Sequence, residues 1–347
     1  MEADSTTHES YTKSHINDIS LPFSTSPGNL NLYKEFICDD GNQNLESQIV
    51  SRLQSIELLP TSVTCPTNGS NCKLVCRPAR VIDRVQWVCE GCSKRLPIRT
   101  GSFFFKIQCS ILQTMQLILA WCEDADFTAA AQYFDVKPRV ASSIYDKLDL
   151  LAINELKKSK LGGDNAVVLS EIYPDCLNRL SPDTTDQPHV HRILMVADTK
   201  HIPTHYRLHV IRDDLKKSQN NQEQSLKEEI EQVILSETEP SSLLVMGNSV
   251  PLDGTVSLQQ LIQHCDIDMQ HFLTSRIWSQ ALTLCSASRD LCTGTPTHIC
   301  ASAVQRYLDT SLYRLRYGDG FYNHMLRAIA DEFTQNSSIS TSQDAPV

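Results

Sequence analysis

The chain of 347 residues carries 31 Lys and Arg against 41 Asp and Glu, a formal net charge of −10. With 41% hydrophobic and 21% charged residues, it has the composition of a soluble globular protein with two domains or one large one. No apolar run approaches about 18 residues and the N-terminus has no signal-like basic and apolar regions, so neither a membrane span nor secretion is expected.

The N-terminal half divides into a polar tail and a series of short elements. Residues 1–45 are rich in Ser, Thr, Asn, Asp and Gly without a sustained period, which predicts disorder. Apolar spacing predicts a short helix over 44–59, strands at 85–89 and within 94–105, an amphipathic helix over 110–125 and a helix–turn–helix over 126–156. Thr128 is a candidate cap for the first helix of that pair. The pair has two interpretations, a DNA-reading motif or a plain helical hairpin in a core.

The C-terminal half has the pattern of an α/β domain. Three successive strands are predicted, followed by a helix, a strand and further helices, which indicates a mixed sheet. The predicted strands cover 166–174, 191–199, 205–213 and 241–247, and the predicted helices cover 224–237, 257–265 and 297–333.

Positive charge is concentrated in one stretch. Residues 61–106 contain 8 basic and 2 acidic residues, whereas 1–60 and 161–347 are net acidic. A basic stretch on an acidic protein favours a polyanionic partner, although a solvated surface is the simpler alternative. The candidate phosphate-contacting residues are Lys73, Arg77, Arg80, Arg84, Lys94, Arg95 and Arg99, joined by Arg139 and Lys147 near the start of the second helix of the pair.

The same stretch holds five of the 13 cysteines, in "CPTNGSNCKLVCRPARVIDRVQWVCEGC". An odd number of cysteines in a chain without a secretory signal favours reduced thiols or metal ligands over disulfides. Cys89 and Cys92 form a C-x-x-C knuckle, and Zn²⁺ prefers four such ligands in a tetrahedron. The alternative is a set of free cysteines in a core. The scattered cysteines are expected to be small core residues: Cys38, Cys109, Cys122, Cys176, Cys265, Cys285, Cys292 and Cys300.

The order of these parts resembles the Merlin-type transposases of eukaryotes and their bacterial insertion-sequence relatives. The residues that carry the resemblance are "CPTNGSNCKL", "WVCEGC", "IRTGSFF", the Trp-containing helix, the helix–turn–helix and the "LGG" before a strand, within residues 60–333. The resemblance implies a zinc ribbon and a helix–turn–helix that bind DNA, followed by an RNase H-like domain. In the family, Asp, Asp and Glu of that domain hold two divalent metal ions for DNA cleavage.

The ribbon departs from the family pattern C-P-x-C-G-x-x-M-x-L. Asn68 stands where the second cysteine is expected, and Cys72 stands at the usual Met. The resemblance therefore implies a structural Zn²⁺ site made of Cys65, Cys72, Cys89 and Cys92, with Cys76 as an alternate ligand.

The three acid positions are also changed. Alignment with the family places Ser170, Gly247 and Ala303 at the catalytic Asp, Asp and Glu, and only the neighbouring Glu171 keeps a carboxylate. We therefore expect no catalytic Mg²⁺ and no nuclease activity, because hard oxygen ligands are required for such a site. The alternative is an active transposase. In that case the alignment of the strands with the family is out of register, and the catalytic acids are among Asp198, Asp213, Asp214 and Asp253.

The histidines of this half are expected to be surface residues at strand ends rather than metal ligands: His189, His191, His201, His205 and His209.

The sequence thus predicts an α/β protein with an N-terminal zinc ribbon plus helix–turn–helix, then an RNase H-like mixed α/β domain. The expected segments are a disordered tail at 1–45, a helix and ribbon at 46–106, a helical region at 107–160, the RNase H-like domain at 161–333 and a disordered tail at 334–347. The expected function is DNA binding in the nucleus without catalysis. The protein could form a homodimer, and no small-molecule substrate is expected. The alternative from another class is a zinc-stabilised scaffold that binds proteins and not nucleic acid.

Overall fold

The computed structural model describes residues 21–39, 41, 44–164, 166–173, 192–198, 205–211, 219–247, 250, 252, 256–263, 267–268, 279, 283–284 and 297–340. The chain divides into two compact units. Unit 1 consists of Met1–Leu151 and Tyr317–Val347, and unit 2 consists of Ala152–Arg316. The protein is a mixed α/β protein with two sheets, as predicted. Among the described helices, none is long and apolar enough to cross a membrane.

Unit 1 begins with two helices, α1 (Pro27–Ile37) and α2 (Leu45–Ser55). Helix α1 corrects the prediction of a disordered tail over 1–45. Pro27 begins the helix with a φ already suited to it, and Tyr33 and Phe36 are 2% and 7% exposed. The prediction failed because the segment is mostly polar in composition. Its two aromatic side chains are spaced three residues apart and lie on one buried face of the helix.

The ribbon is an antiparallel sheet of three short strands, β1 (Leu74–Pro78), β2 (Val85–Cys89) and β3 (Arg95–Pro97), in the order β1-β2-β3. Val85, Trp87 and Cys89 alternate along β2 as its buried face. On the opposite face, Arg77 lies beside Gln86 and Arg95 beside Val88. Because successive side chains of a strand point to opposite faces, the sheet has one apolar face and one face that carries arginines.

Three helices follow: α3 (Ile111–Cys122), α4 (Phe127–Tyr133) and α5 (Pro138–Lys157). Ser110 and Gln113 form a capping box at the start of α3. The cap of α4 is Asp126, whose carboxylate accepts from the Thr128 and Ala129 amides, so the expectation that Thr128 is the cap is wrong. A carboxylate suits this position because it also interacts favourably with the helix dipole.

The C-terminal helix belongs to unit 1 and not to the domain predicted over 161–333. The helix predicted over 297–333 is two helices, α8 (Thr297–Tyr317) and α9 (Phe321–Ser340), separated by a 3₁₀ turn at Gly318–Gly320. In α9, the Phe321 ring lies 5.6 Å from that of Trp121, and the Tyr322 amide donates to Asn29 Oδ1 at 2.9 Å. Helix α9 also extends past 333, where a disordered tail is predicted.

Unit 2 is built on a five-stranded sheet. The strands are β4 (Val167–Tyr173), β5 (Ile193–Asp198), β6 (His205–Val210), β7 (Leu243–Met246) and β8 (Val256–Ser257), in the order β6-β5-β4-β7-β8. Strands β4, β5 and β6 are antiparallel neighbours, whereas β7 runs parallel to β4 and β8 parallel to β7.

Helices cover both faces of this sheet. Helix α6 (Gln219–Glu237) packs Ile230 and Ile234 on one face, with Val168, Ile172 and Val196 among the strand residues there. Helix α8 packs Val304, Leu308 and Leu312 on the other face, with Leu169 and Val245. Helix α7 (Leu258–Ile262) follows β8. The strands therefore have apolar side chains on both faces.

Candidate metal centre and basic hairpin

Four cysteines come together at one end of the ribbon. They are Cys65 and Cys72 before β1, Cys89 at the end of β2, and Cys92 in the turn after it. Their sulfur atoms all lie within 4.8 Å of one another, and the Cys65 and Cys92 sulfurs are 3.5 Å apart. These are the four residues that the sequence predicts as a set, although the positions come from three separate segments.

The spacing of the sulfurs fits a tetrahedral metal ion. A Zn–S bond of about 2.3 Å places the sulfurs of a tetrahedron about 3.8 Å apart, within the range seen here. Thiolate ligands suit soft and borderline ions and not Mg²⁺ or Ca²⁺. The four cysteines could therefore hold a metal ion of that class.

Two tight turns bring the cysteines into place. Cys65 accepts a backbone hydrogen bond from Asn68 at 2.9 Å, and Gly69 accepts one from Cys72 at 2.9 Å. Asn68 has φ of 47°, a conformation that Asn tolerates better than most residues. Gly91 lies between Cys89 and Cys92, and a Cβ there would lie 2.2 Å from the Asn71 carbonyl oxygen. Only glycine therefore allows this knuckle to approach the turn that contains Asn71.

The surroundings of the sulfurs favour a thiolate at Cys92. The Thr67 hydroxyl and the Lys94 backbone form hydrogen bonds that lower the pKa of Cys92 to about 6. A backbone hydrogen bond from Gly69 favours the Cys72 thiolate, but burial and the neighbouring sulfurs outweigh it and raise the pKa of Cys72 to about 12. A bound cation would favour the thiolate form of all four, and their protons would be released on binding.

Two residues near the cluster are not part of it. Cys76, the alternate ligand, is exposed on β1 opposite Trp87 and is outside the group of four sulfurs. It is too far along the strand because β1 carries the chain away from the knuckle at 3.3 Å or so per residue. Asn68 lies in the turn after Cys65 and contributes no sulfur, and Cys72 completes the group of four.

Eight of the nine candidate phosphate-contacting residues are exposed: Lys73, Arg77, Arg80, Arg84, Lys94, Arg95, Arg139 and Lys147. Arg77 pairs with Glu90 at 3.1 Å on the surface, and the Lys147 ammonium lies 5.5 Å from the centre of the Phe103 ring. Arg80 and Arg84 lie in the loop between β1 and β2. The ribbon therefore presents basic side chains on both its outer sheet face and its hairpin loop.

Arg99 is the exception and corrects the prediction. It is 4% exposed, forms a two-pronged ion pair with Asp83, and donates to the carbonyl oxygens of Ile107 and Cys109 at 2.9 and 2.8 Å. Four of its five guanidinium N–H donors are used by these partners, and the buried group is not presented to a phosphate. The signal in the sequence is the lone Asp83 among the basic residues of the hairpin, which indicates a local ion pair.

The three positions aligned with the family's acids lie in unit 2, where Ser170 and Gly247 are neighbours and Ser170 and Ala303 are on opposite faces of the sheet. Ser170 is fully buried on the α6 face of the sheet, between Val168 and Ile172, whereas Ala303 lies on α8 at the opposite face. Gly247 follows β7, and its amide donates to the Ser170 carbonyl at 2.7 Å. Because side chains alternate along a strand, Glu171 and not Ser170 projects to the α8 side.

Glu171 occupies the space beside Gly247. A Cβ at Gly247 would lie 1.6 Å from Glu171 Oε2, so any other residue there would require the carboxylate to move. Of the alternative acids, Asp198 is fully buried and accepts from the Gly162 amide at 2.9 Å. Asp213, Asp214 and Asp253 lie outside the described residues.

The two described histidines of the predicted surface set have partners. His209 contacts Glu229 at 2.9 Å and His205 contacts Arg316 at 2.7 Å. Both side chains are partly buried; His205 is the first residue of β6 and His209 is next to its last. His189, His191 and His201 lie outside the described residues.

No protein-family model, no curated protein and no solved structure matches this chain.

Proposed function

We propose that this protein is a DNA-binding protein of transposase origin that has no nuclease activity. The observation that carries the proposal is the ribbon: six exposed basic side chains lie on or beside its strands, which end at a four-cysteine cluster. Lys and Arg that neutralise phosphates supply most of the affinity for non-specific DNA.

The metal ion in this proposal is a structural Zn²⁺. A three-stranded ribbon of 13 strand residues cannot bury a core large enough to be stable alone, and a bound metal supplies folding free energy directly. Cys65, Cys72, Cys89 and Cys92 would be the ligands, and β1 and β2 would be held in register by the ion.

The helices α3, α4 and α5 support a second DNA contact. The short α4 is followed by the turn 134–137 and by α5, with Arg139 exposed in the first turn of α5. A recognition helix in a helix–turn–helix uses its N-terminal residues on base edges and phosphates. In this proposal α5 is that helix, and DNA in the nucleus is the partner.

The sheet of unit 2 supports the transposase origin. Three antiparallel strands followed by parallel ones, with helices on both faces, is the mixed arrangement that an RNase H-like domain requires. The loss of nuclease activity rests on Ser170, Gly247 and Ala303, which offer no carboxylate for a two-metal site.

The test is binding of the full chain to a random DNA duplex by fluorescence anisotropy, at several salt concentrations with Zn²⁺ present. We expect an affinity that falls steeply with salt, because bound counterions are released from the phosphates. Cys89→Ser should abolish binding and reduce the zinc content from about one ion per chain to none. Cys76→Ser is the matched control and should leave both unchanged. If the full chain shows no binding to the duplex at low salt, the proposal is refuted.

The scaffold that binds proteins remains the second candidate. It is favoured by the net charge of −10 and by two large apolar side chains on the surface of unit 2, Leu235 at 75% and Leu315 at 59% exposed. In that case Cys89→Ser would still lose zinc, but the intact protein would show no salt-dependent binding to duplex DNA.

A further inference from the structure

The loop between β1 and β2 presents two apolar side chains to solvent. In this loop, residues 79–84, Val81 is 42% exposed and Ile82 is 56% exposed. Arg80 and Arg84 flank them and are also exposed. About half of each of these two neighbouring apolar side chains is left in contact with solvent at the hairpin tip, where a partner could cover it.

The tip is held rigidly. Asp83, within the loop, is 5% exposed and is bound by Arg99, which is itself tied to two backbone carbonyls. The Ala79 amide donates to the Arg84 carbonyl at 2.8 Å, and the Arg84 amide donates to the Val81 carbonyl at 3.0 Å. Arg84 has φ of 59°, a conformation maintained against its cost by these bonds. The conformation of the loop that carries Val81 and Ile82 is therefore held by bonds within this chain.

The charge around the tip favours a polyanion. The negative charge of Asp83 is paired with Arg99, so the arginines that remain at the surface are Arg80 and Arg84. Both line a cavity of about 560 Å³ together with Val81 and Ile82, and Glu46 is the acidic residue among its described lining residues. An apolar partner protein would leave both guanidinium groups to be desolvated, whereas DNA supplies phosphates for them.

An apolar pair between two arginines suits the minor groove. Proteins that bind there insert Ile, Leu, Phe, Met or Pro between base pairs, with Arg or Lys beside the wedge, and kink the duplex. In the major groove the same apolar side chains would find only thymine methyl groups. We propose that Ile82, supported by Val81, is a wedge that enters the minor groove and bends DNA, with Arg80 and Arg84 on the flanking phosphates. This inference rests on the DNA-binding function proposed above.

The experiment measures bending and binding of the full chain with Zn²⁺ on one duplex of about 20 base pairs. The duplex contains a single TA step, the type most easily unstacked, with 2-aminopurine beside it and a fluorophore pair at its ends. With the wild-type chain we expect energy transfer between the ends to rise as the duplex bends and 2-aminopurine emission to rise as the step opens. With Ile82→Ala we expect both changes to disappear and Kd to increase about tenfold, while the salt dependence is kept. Ile56→Ala is the matched control, since Ile56 is 40% exposed at the end of α2 and outside the hairpin.

The outcomes separate this proposal from the DNA-binding function. Salt-dependent binding without bending, or bending that Ile82→Ala leaves intact, would overturn the wedge and leave the DNA-binding function in place. No binding by the wild-type chain at low salt would overturn both. An equal loss of bending in Ile56→Ala and Ile82→Ala would also overturn the wedge, because the effect would not be specific to the hairpin tip.

Discussion

Ser170 is a buried serine whose hydroxyl finds no hydrogen-bond partner among the described residues. It lies among apolar side chains of β4, β5 and α6, where an unsatisfied polar atom has a free-energy cost. The serine thus stands at a position that the surrounding core would fill better with a methyl group. That is an unexpected setting for a site aligned with a metal-binding carboxylate.

Ser170→Ala is therefore expected to stabilise the protein, raising the free energy of unfolding by about 1 kcal/mol. Ser170→Asp should lower it by several kcal/mol, because a carboxylate would be buried without a partner. Urea denaturation followed by circular dichroism measures both changes. Ser236→Ala, at an exposed position on α6, should stay within about 0.5 kcal/mol of the wild type. A destabilised Ser170→Ala would mean that the hydroxyl has a partner.

Asp309 on α8 makes the stability of unit 2 depend on pH. Burial raises the pKa of Asp309 to about 6, from its ordinary value of 3.8. Because the folded state binds this proton more tightly than the unfolded state, folding is favoured as pH falls through about 6, and the gain is complete below about 4.

We expect Asp309→Asn to remove that gain. The wild-type free energy of unfolding should rise from pH 7 to pH 5 relative to the variant, by roughly 1.3 kcal/mol when measured by urea denaturation at each pH. Asp268→Asn, at an exposed position, is the control. Parallel pH profiles for wild type and Asp309→Asn would contradict the prediction.

At the scale of elements, a side chain of α8 covers part of the edge of the unit 2 sheet at β6. Gln305 of α8 accepts from the Val210 amide and donates to the Leu208 carbonyl, both at 2.8 Å. Its amide therefore reproduces the pair of bonds that another strand would make. An open edge strand is a template for aggregation, and Gln305 covers part of it.

Gln305→Leu is expected to lose both hydrogen bonds and about 2 kcal/mol of stability. Hydrogen exchange at the Val210 amide should accelerate, while exchange at central β4 amides follows global unfolding only. Gln232→Leu, at an exposed position on α6, is the matched control. Unchanged exchange at Val210 would show that the edge is protected by something other than Gln305.

At the scale of the whole molecule, unit 1 is completed by the far end of the chain. Among the residues of helix α9 whose burial is described, the large buried side chains include Phe321, Tyr322, Met325, Leu326 and Ile329. It packs against α1 and α3, which lie about 200 or more residues earlier. The N-terminal unit is therefore not an independent fragment.

A chain that ends after Gly320 is expected to lose the folded state of unit 1. Hydrogen exchange at the buried Leu117 and Ile118 amides of α3 should become unprotected, because the surface that α9 covers is apolar. Removal of residues 341–347, which leaves α9 whole, is the control. Persistent protection of α3 in the shorter chain would show that α9 is dispensable.

Local spacing was enough to predict much of this protein. The C-x-x-C knuckle, the alternation in β2 and the mixed α/β class follow from short-range patterns, because knuckle and strand geometry repeat over a few residues. The set Cys65, Cys72, Cys89 and Cys92 came instead from the family resemblance, and the structure brings these four sulfurs together. The cap of α4 was a local miss, since Asp126 and not Thr128 fills it. Other missed features have partners distant in sequence, such as α1, which packs against α3 and α9.

The tertiary structure alone decided the rest. Arg99 is indistinguishable by type from its exposed neighbours until Asp83 and two carbonyls surround it. Ser170 and Glu171 differ by one step along β4, and only the packing of α6 and α8 decides which side chain lies on which face. Helix α9 is part of unit 1 because it packs its apolar side chains against α1 and α3. Burial, facing direction and pairing across long separations are properties of the assembled core and not of the local sequence.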